Sequence, residues 1–233
     1  MKTRLIIFYL FLTAVQNGFG QTDYGQLREQ MVSEQLEGRN IFRAEVLDAM
    51  RNVPRHVFVP KDYRSWSYSD QPLPIGEGQT ISQPYIVAYM TQELRIRPGD
   101  KVLEVGTGSG YQAAILAELA REVYTIEIVE SLGKQSGQLL KNLGYDNVQV
   151  RIGDGYNGWP EAGPFDAIMV TAGAEELPQP LMEQLAEGGR MIIPIGPHGG
   201  GRQLTLITRK KGKYKSEKLM SVRFVPFVRK SEE

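Results

Sequence analysis

Residues 101–110 read KVLEVGTGSG, and the alanine-rich stretch YQAAILAEL follows them directly. A short apolar, β-branched run ends in three alternate glycines, Gly106, Gly108 and Gly110. Glycines at this spacing let a strand turn sharply into a helix and let a ligand approach the backbone closely. The stretch therefore predicts a nucleotide-like cofactor at the carboxyl end of the first strand of a parallel sheet.

Strand-like and helix-like segments alternate through the rest of the core. Strands are predicted at 102–105, 123–128, 148–152, 165–170 and 190–195, and helices at 111–120, 132–143 and 180–185. This alternation indicates an α/β fold with a doubly wound, mostly parallel sheet. Beyond Pro197, residues 204–208 and 219–225 predict an antiparallel strand pair at one sheet edge, joined by the basic segment 209–218. The order of these two strands stays open.

The chain is predicted to form one domain, 21–233, in three parts. Residues 24–97 hold helices at 24–38, 44–50 and 86–94, and between the last two lies a segment, 54–84, with five prolines and little periodicity. Such a long irregular segment inside a compact domain is typical of a functional loop. Residues 98–196 form the cofactor-binding core, and residues 197–233 form the C-terminal strands.

Charge and cysteine content exclude several classes of site. The 27 acidic residues balance the 27 basic ones, so we expect no surface suited to nucleic acid. The chain has no cysteine, which excludes disulfides, thiolate metal sites and a cysteine nucleophile. We expect no metal in the site.

Residues 1–20 have the layout of a secretory signal peptide. Lys2 and Arg4 precede an apolar run at 5–15, and glycines follow at positions 18 and 20. The run is too short to span a bilayer as a helix, so we expect no stable membrane association. The alternatives are an apolar N-terminal helix and a misassigned start codon. The segment is left out of the fold prediction.

The glycine-rich turn departs from the patterns that bind phosphates. A dinucleotide fingerprint needs a later third glycine, at the position that Tyr111 occupies, and no Gly-Lys-Ser/Thr of a P-loop is present. Glu104 lies two residues before the first glycine, where a carboxylate repels a pyrophosphate and suits an ammonium group. The pattern therefore favours a cationic ligand over a phosphorylated one.

Two further carboxylates follow the next two strands. Glu127 lies 21 residues beyond Gly106, a distance at which a carboxylate reaches ribose hydroxyls. Asp154, between Gly153 and Gly155, could accept a hydrogen bond from an adenine amino group. Each carboxylate alone could equally be a loop or helix cap. Together with Glu104 they indicate a nucleoside joined to an amino acid, and S-adenosylmethionine is such a molecule.

The chain resembles the protein-L-isoaspartate (D-aspartate) O-methyltransferases over most of residues 27–228. The matching segments are VPRHVFVP (53–60), LPIGEGQTISQPY (73–85), LEVGTGSGYQ (103–112), GDGYNGW (153–159), PFDAIMVTA (164–172), GGRMIIPIG (188–196) and RFVPFV (223–228). The glycine-rich segment is common to many methyltransferases, whereas GQTISQPY is specific to this family.

The resemblance implies a Rossmann-like, class I S-adenosylmethionine-dependent methyltransferase. Its reaction would methylate the free α-carboxylate of L-isoaspartyl, and also D-aspartyl, residues in age-damaged proteins and leave S-adenosylhomocysteine. Ser82 matches the family's active-site serine, which would bind the acceptor carboxylate. The resemblance further assigns Gln79, Thr80, Ile128 and Gly155 to the cofactor pocket, and Pro84 and Tyr85 to the substrate mouth.

The residues fit this chemistry without a strong base. A carboxylate is already ionised at neutral pH, and the chain has only two histidines, His56 and His198. Holding the carboxylate and the methyl group in line can supply on the order of 7–11 kcal/mol. Ser82 has no triad partner in the sequence, so we expect a hydrogen-bond donor and not an activated nucleophile.

Three other functions stay open. They are an S-adenosylmethionine-dependent methyltransferase of a small acceptor, a non-catalytic S-adenosylmethionine-binding protein and a nicotinamide oxidoreductase, which Glu104 and the glycine spacing disfavour. We expect a monomer, because folded protein substrates need open access to the site. A cytoplasmic location follows from the cofactor supply, and the alternative is export if residues 1–20 are cleaved.

Overall fold

The computed structural model describes residues 22–197 and 199–229. The signal-like segment 1–20 and His198 lie outside these described residues. None of the helices within them has the length and apolar character needed to cross a bilayer.

The N-terminal part packs short helices against the rest of the domain. Helix α1, Tyr24–Gln30, continues into a π-helical turn, Met31–Leu36, and a 3-10 turn, Glu37–Arg39, before α2, Ala44–Asn52. Of the apolar residues at helical spacing here, Met31, Val32 and Leu36 are 0% exposed, and Leu27 is partly buried. Both predicted helices are confirmed, although the first is only partly α-helical.

The proline-rich segment after α2 is ordered. Two 3-10 helices, Arg55–Phe58 and Lys61–Trp66, lead into a hairpin of β1, Leu73–Gly76, and β2, Gln79–Ile81. Helix α3, Pro84–Leu94, begins directly after it. The hairpin therefore carries the first half of the family-specific segment GQTISQPY, residues 78–85, up to the start of a buried helix.

The core alternates strands and helices as predicted. Its elements are β3 Lys101–Val105, α4 Tyr111–Ala117, β4 Glu122–Glu127, α5 Glu130–Asn142, β5 Val148–Ile152, β6 Phe165–Val170, α6 Gln179–Glu183, β7 Leu185–Ile195, β8 Arg202–Lys210 and β9 Lys213–Val222. The sheet order is β5-β4-β3-β6-β7-β8-β9. The first five of these strands are parallel, and β8 and β9 add an antiparallel pair at the β7 edge. This confirms the fold class and places β8 between β7 and β9.

Several predicted boundaries differ from the structure, and the two largest differences are at the starts of β7 and β9. Strand β7 begins at Leu185 and not at residue 190, because Leu185 pairs with Phe165 before an irregularity in the ladder. The basic segment 209–218 is mostly strand: its turn is only Lys211-Gly212, with φ of 52° and 68°. Two consecutive positive φ values are what a two-residue hairpin requires.

The sheet sets where the site lies. The chain leaves β3 toward β4 on one side and reaches β6 on the other, so the strand order reverses beside β3. Ligands of open α/β sheets bind outside the carboxyl ends of the strands at such a switch point. Buried Val102 and Leu103 belong to core clusters on opposite faces, since side chains alternate along a strand. Glu104 shares the face of Val102, which α3 and α4 cover.

Candidate functional site

A cleft of about 590 Å³, including its open mouth, lies at the carboxyl ends of β3, β4 and β6. It is lined by Gln79, Thr80, Val105, Gly106, Gly108, Ile126, Glu127, Ile128, Val129, Gly155, Thr171, Ala172, Val225, Pro226, Phe227 and Val228. Seven of the predicted cofactor residues meet here: Gln79, Thr80, Gly106, Gly108, Glu127, Ile128 and Gly155.

Glycine is required at two points of the cleft wall. A Cβ at Gly106, where φ is +101°, would lie 2.3 Å from Thr171 Oγ1. A Cβ at Gly155 would lie 2.4 Å from Val105 Cγ1. Neither position has room for a side chain, so the backbone itself forms a surface that a ligand can approach closely.

Glu127 holds the glycine-rich turn in place. Its Oε2 accepts a hydrogen bond from the Gly108 amide at 2.7 Å, and its Oε1 accepts one from the Val129 amide at 3.0 Å. An ionised carboxylate has about four acceptor positions, so both oxygens can still accept from a ligand. The buried side chain therefore braces the turn and faces the cleft, where the ribose contact was predicted.

Glu104 is placed differently from the expectation of an open strand end. Its side chain is 0% exposed and it does not line the cleft. Oε2 accepts a hydrogen bond from Thr125 Oγ1 at 2.5 Å, whereas Oε1 has no partner among the described residues. Burial raises the pKa of Glu104 to about 8. An unpartnered buried carboxylate oxygen next to the glycine-rich turn fits a cationic group better than an anionic one.

Asp154 acts as a cap and as an ion-pair partner. Oδ1 accepts from the Tyr156 amide at 2.9 Å, and Oδ2 lies 3.3 Å from Arg229 Nε. The Arg229 guanidinium lies over the Tyr156 ring, 3.6 Å from its centroid. Asp154 is not part of the cleft lining, although its neighbour Gly155 is.

The C-terminal segment 223–229 forms a strap over the cleft. The Gly173 amide donates to Val225 O at 2.8 Å, and the Phe227 amide donates to Gly173 O at 3.0 Å. Residues 225–228 of the strap line the cleft. Sequence reasoning assigned them no role, although the apolar run RFVPFV after the last predicted strand is a signal that could have found them.

Ser82 lines a second cavity of about 430 Å³, which adjoins the cleft. The two cavities share Thr80, Gly106, Gly108 and Thr171 in their walls. The serine is half-buried, and Tyr111 also lines its cavity. The structure thus brings the predicted active-site serine to the glycine-rich turn, although the serine does not line the cofactor cleft itself.

Pro84 and Tyr85 lie in neither of these two cavities. Pro84 is buried as the first residue of α3. The Tyr85 amide donates to Asp70 Oδ1 at 3.0 Å, and its ring lies 3.9 Å from the Arg39 guanidinium carbon. Their assignment to the substrate mouth stays a prediction.

His56 is held by aromatic neighbours. Its Nδ1 lies 2.9 Å from the Tyr68 hydroxyl, and its ring stacks on Tyr24 at 4.0 Å. Burial, followed by the charges of Arg64 and Arg28, lowers the pKa of His56. These contacts fit a structural hydrogen bond better than proton transfer.

A family model and two sequence relatives agree on one family. The sequence profile described as "Protein-L-isoaspartate(D-aspartate) O-methyltransferase (PCMT)" matches residues 26–232. A protein-L-isoaspartate O-methyltransferase of Opitutus terrae is 62% identical over 98% of this chain and 99% of its own length. One from Gloeobacter violaceus is 56% identical over 85% of this chain and 97% of its own.

Solved structures of the family share the fold. One protein-L-isoaspartate O-methyltransferase superposes with a TM-score of 0.79 at 31% identity, over 85% of this chain and 65% of that longer chain. A Plasmodium falciparum protein assigned to the same family, in complex with S-adenosyl-L-homocysteine, gives 0.74 at 30% identity over 89% of this chain and 99% of its own. The chain belongs to the protein-L-isoaspartate (D-aspartate) O-methyltransferase family.

Proposed function

We propose that the protein transfers a methyl group from S-adenosylmethionine to the free α-carboxylate of L-isoaspartyl and D-aspartyl residues in damaged proteins. The observation that carries the proposal is the shared wall of the two cavities. Thr80, Gly106, Gly108 and Thr171 border both the cofactor cleft and the cavity that holds Ser82. A donor in the cleft and an acceptor beside Ser82 would meet at this wall.

The cleft residues suit each part of the cofactor. Glu127 faces the cleft with acceptor capacity for ribose hydroxyls. Gly155 lines the cleft with bare backbone next to Asp154, and we propose that the adenine lies on this side. Glu104 does not line the cleft, but its unpartnered oxygen belongs to the residue two positions before Gly106, and we propose that the ammonium group is held on this side of the turn. S-adenosylmethionine, when bound, supplies an electrophilic methyl group on a sulfonium.

The chain's own residues then have to position the acceptor. The substrate carboxylate is ionised at neutral pH and attacks without losing a proton. The Ser82 hydroxyl donates a hydrogen bond to one carboxylate oxygen and directs the other toward the methyl group. A backbone amide nitrogen can then attack the ester carbonyl, which releases methanol and forms a succinimide, and hydrolysis of the succinimide returns some normal aspartate.

Transfer of tritiated methyl groups to two peptides tests the proposal. The peptides share one sequence and differ only in an isoaspartyl or an aspartyl residue. We expect label on the isoaspartyl peptide alone, released as methanol by mild base, and a large loss of rate in S82A. Equal labelling of both peptides, or of neither, would refute the substrate assignment.

The place of action follows from the same cofactor. S-adenosylmethionine is made inside cells, so we propose that the protein acts in the cytoplasm, as a monomer, on proteins that carry isoaspartyl damage. Cell fractionation with N-terminal sequencing of the purified protein tests the location. A mature N-terminus near residue 21 in an exported fraction would overturn it.

A further inference from the structure

Arg55 is the largest side chain that the core buries completely. It is 0% exposed, and it belongs to the first 3-10 helix of the proline-rich segment. Burying a guanidinium costs much free energy unless its N–H groups find partners. Sequence reasoning gave this residue no role. Its contacts point toward the acceptor cavity.

The Arg55 guanidinium joins two distant backbone segments. Its Nε donates to Ser67 O at 2.7 Å, and its Nη2 donates to Ser82 O at 2.7 Å. These partners lie 12 and 27 residues away along the chain. Both hydrogen bonds are charge-assisted, and such bonds are stronger and geometrically stricter than neutral ones. The Ser82 backbone is therefore fixed from inside the domain.

A third contact connects Arg55 to the wall of the acceptor cavity. The guanidinium carbon lies 4.8 Å from the centroid of the Tyr111 ring, and Tyr111 lines the same cavity as Ser82. Nη1 has no hydrogen-bond partner among the described residues. Arginine stays charged in proteins, so a fixed positive charge lies directly behind the cavity where an anionic carboxylate would bind.

We infer that Arg55 is a positioning residue for methyl transfer, which acts through Ser82: its guanidinium holds the Ser82 backbone so that the hydroxyl meets the acceptor carboxylate at the required angle. The inference rests on the proposed function. Arg55 does not line the cofactor cleft, so its removal is expected to change the transfer step and not cofactor binding.

A double-mutant cycle tests this role. Misplacing a reacting group by about 1 Å can cost on the order of 100-fold in rate, so we expect R55M to lower kcat by roughly that factor. The Kd for S-adenosylhomocysteine should stay within about threefold, because the cleft contacts are intact. In the S82A background, R55M should change kcat by less than about threefold, since the hydroxyl that Arg55 positions is already gone.

Two further variants separate positioning from general damage. R55K keeps the charge but cannot span both carbonyls, so we expect a loss of roughly tenfold, the size of one charged hydrogen bond. R190M is the control. Arg190 Nε donates to Glu93 O at 2.8 Å, near the end of α3 remote from Ser82. R190M should leave kcat unchanged even if it lowers the melting temperature.

Different results of these experiments would overturn the role of Arg55 and the proposed function. Equal losses from R55M in the wild-type and S82A backgrounds, or a parallel loss of S-adenosylhomocysteine affinity, would overturn the inference. If R55M does not fold, the same cycle with R55K decides between these results. Failure of the wild-type protein to methylate the isoaspartyl peptide would instead refute the proposed function.

Discussion

Replacing Glu104 with glutamine should stabilise the protein without cofactor and should also weaken cofactor binding. Glu104 is 0% exposed, and one of its oxygens has no partner among the described residues. Burial raises its pKa to about 8, well above the ordinary value of 4.5. The folded protein therefore holds a proton that the unfolded chain has already lost at neutral pH.

The sign and size of the stability change with pH follow from proton linkage. Below pH 4.5 the carboxyl is protonated in both states, so it adds no pH dependence. As pH rises from 4.5 toward 8, the unfolded chain binds fewer protons than the folded one and stability falls. At pH 7 the raised pKa of Glu104 lowers the free energy of unfolding by about 3 kcal/mol, and at pH 5 by about 1 kcal/mol. The E104Q gain should therefore grow by about 2 kcal/mol between these two pH values.

Urea unfolding at pH 5, 6 and 7 measures this difference. T125V is the matched control: it removes the hydroxyl that donates to Glu104 at 2.5 Å but keeps the titrating group. Between pH 5 and 7, T125V should lose stability with rising pH as the wild type does, because Glu104 still titrates. The lost hydrogen bond lowers the pKa of Glu104, so in T125V the fall of stability continues to a higher pH. A stability difference between E104Q and wild type that does not change with pH would show that the pKa of Glu104 is not raised.

Three further predictions concern affinity for S-adenosylhomocysteine, measured by calorimetry. G106A should bind it poorly and lose stability, because the new Cβ would lie 2.3 Å from Thr171 Oγ1. Binding equal to that of the wild type would contradict the role of the glycine-rich turn in the cleft. E127Q should weaken binding about tenfold, since an amide cannot accept from both the Gly108 and Val129 amides. R229M should weaken it only a fewfold, because the Arg229 side chain of this ion pair is 45% exposed, and 0.5 M salt should reduce wild-type binding to a similar extent.

The sequence determined the arrangement of the core because its signals are local. Glycines at positions 106, 108 and 110 fixed a strand–turn–helix, and apolar runs of strand length alternated with helical ones. In the alanine-rich stretch that follows these glycines, Ala113 and Ala114 are fully buried. Seven of the nine predicted cofactor residues line one cleft, since strand ends meet at one edge of a parallel sheet.

Contacts between distant segments could not be predicted. The bond from Arg55 to Ser82 spans 27 residues, and no periodicity encodes it. The strap 223–229 reaches the cleft because β8 runs antiparallel to β7 and β9 then returns the chain to the carboxyl ends of the parallel strands. Glu104 was expected at an open strand end, but side-chain alternation turns it toward the face that α3 and α4 cover.

Calorimetric titration of S-adenosylhomocysteine into the wild-type protein and G106A tests whether the cleft at the glycine-rich turn binds the cofactor. We expect one site per chain in the wild type and little or no binding to G106A. Absence of binding heat with the wild-type protein, or equal affinity in the two proteins, would contradict the assignment of this cleft.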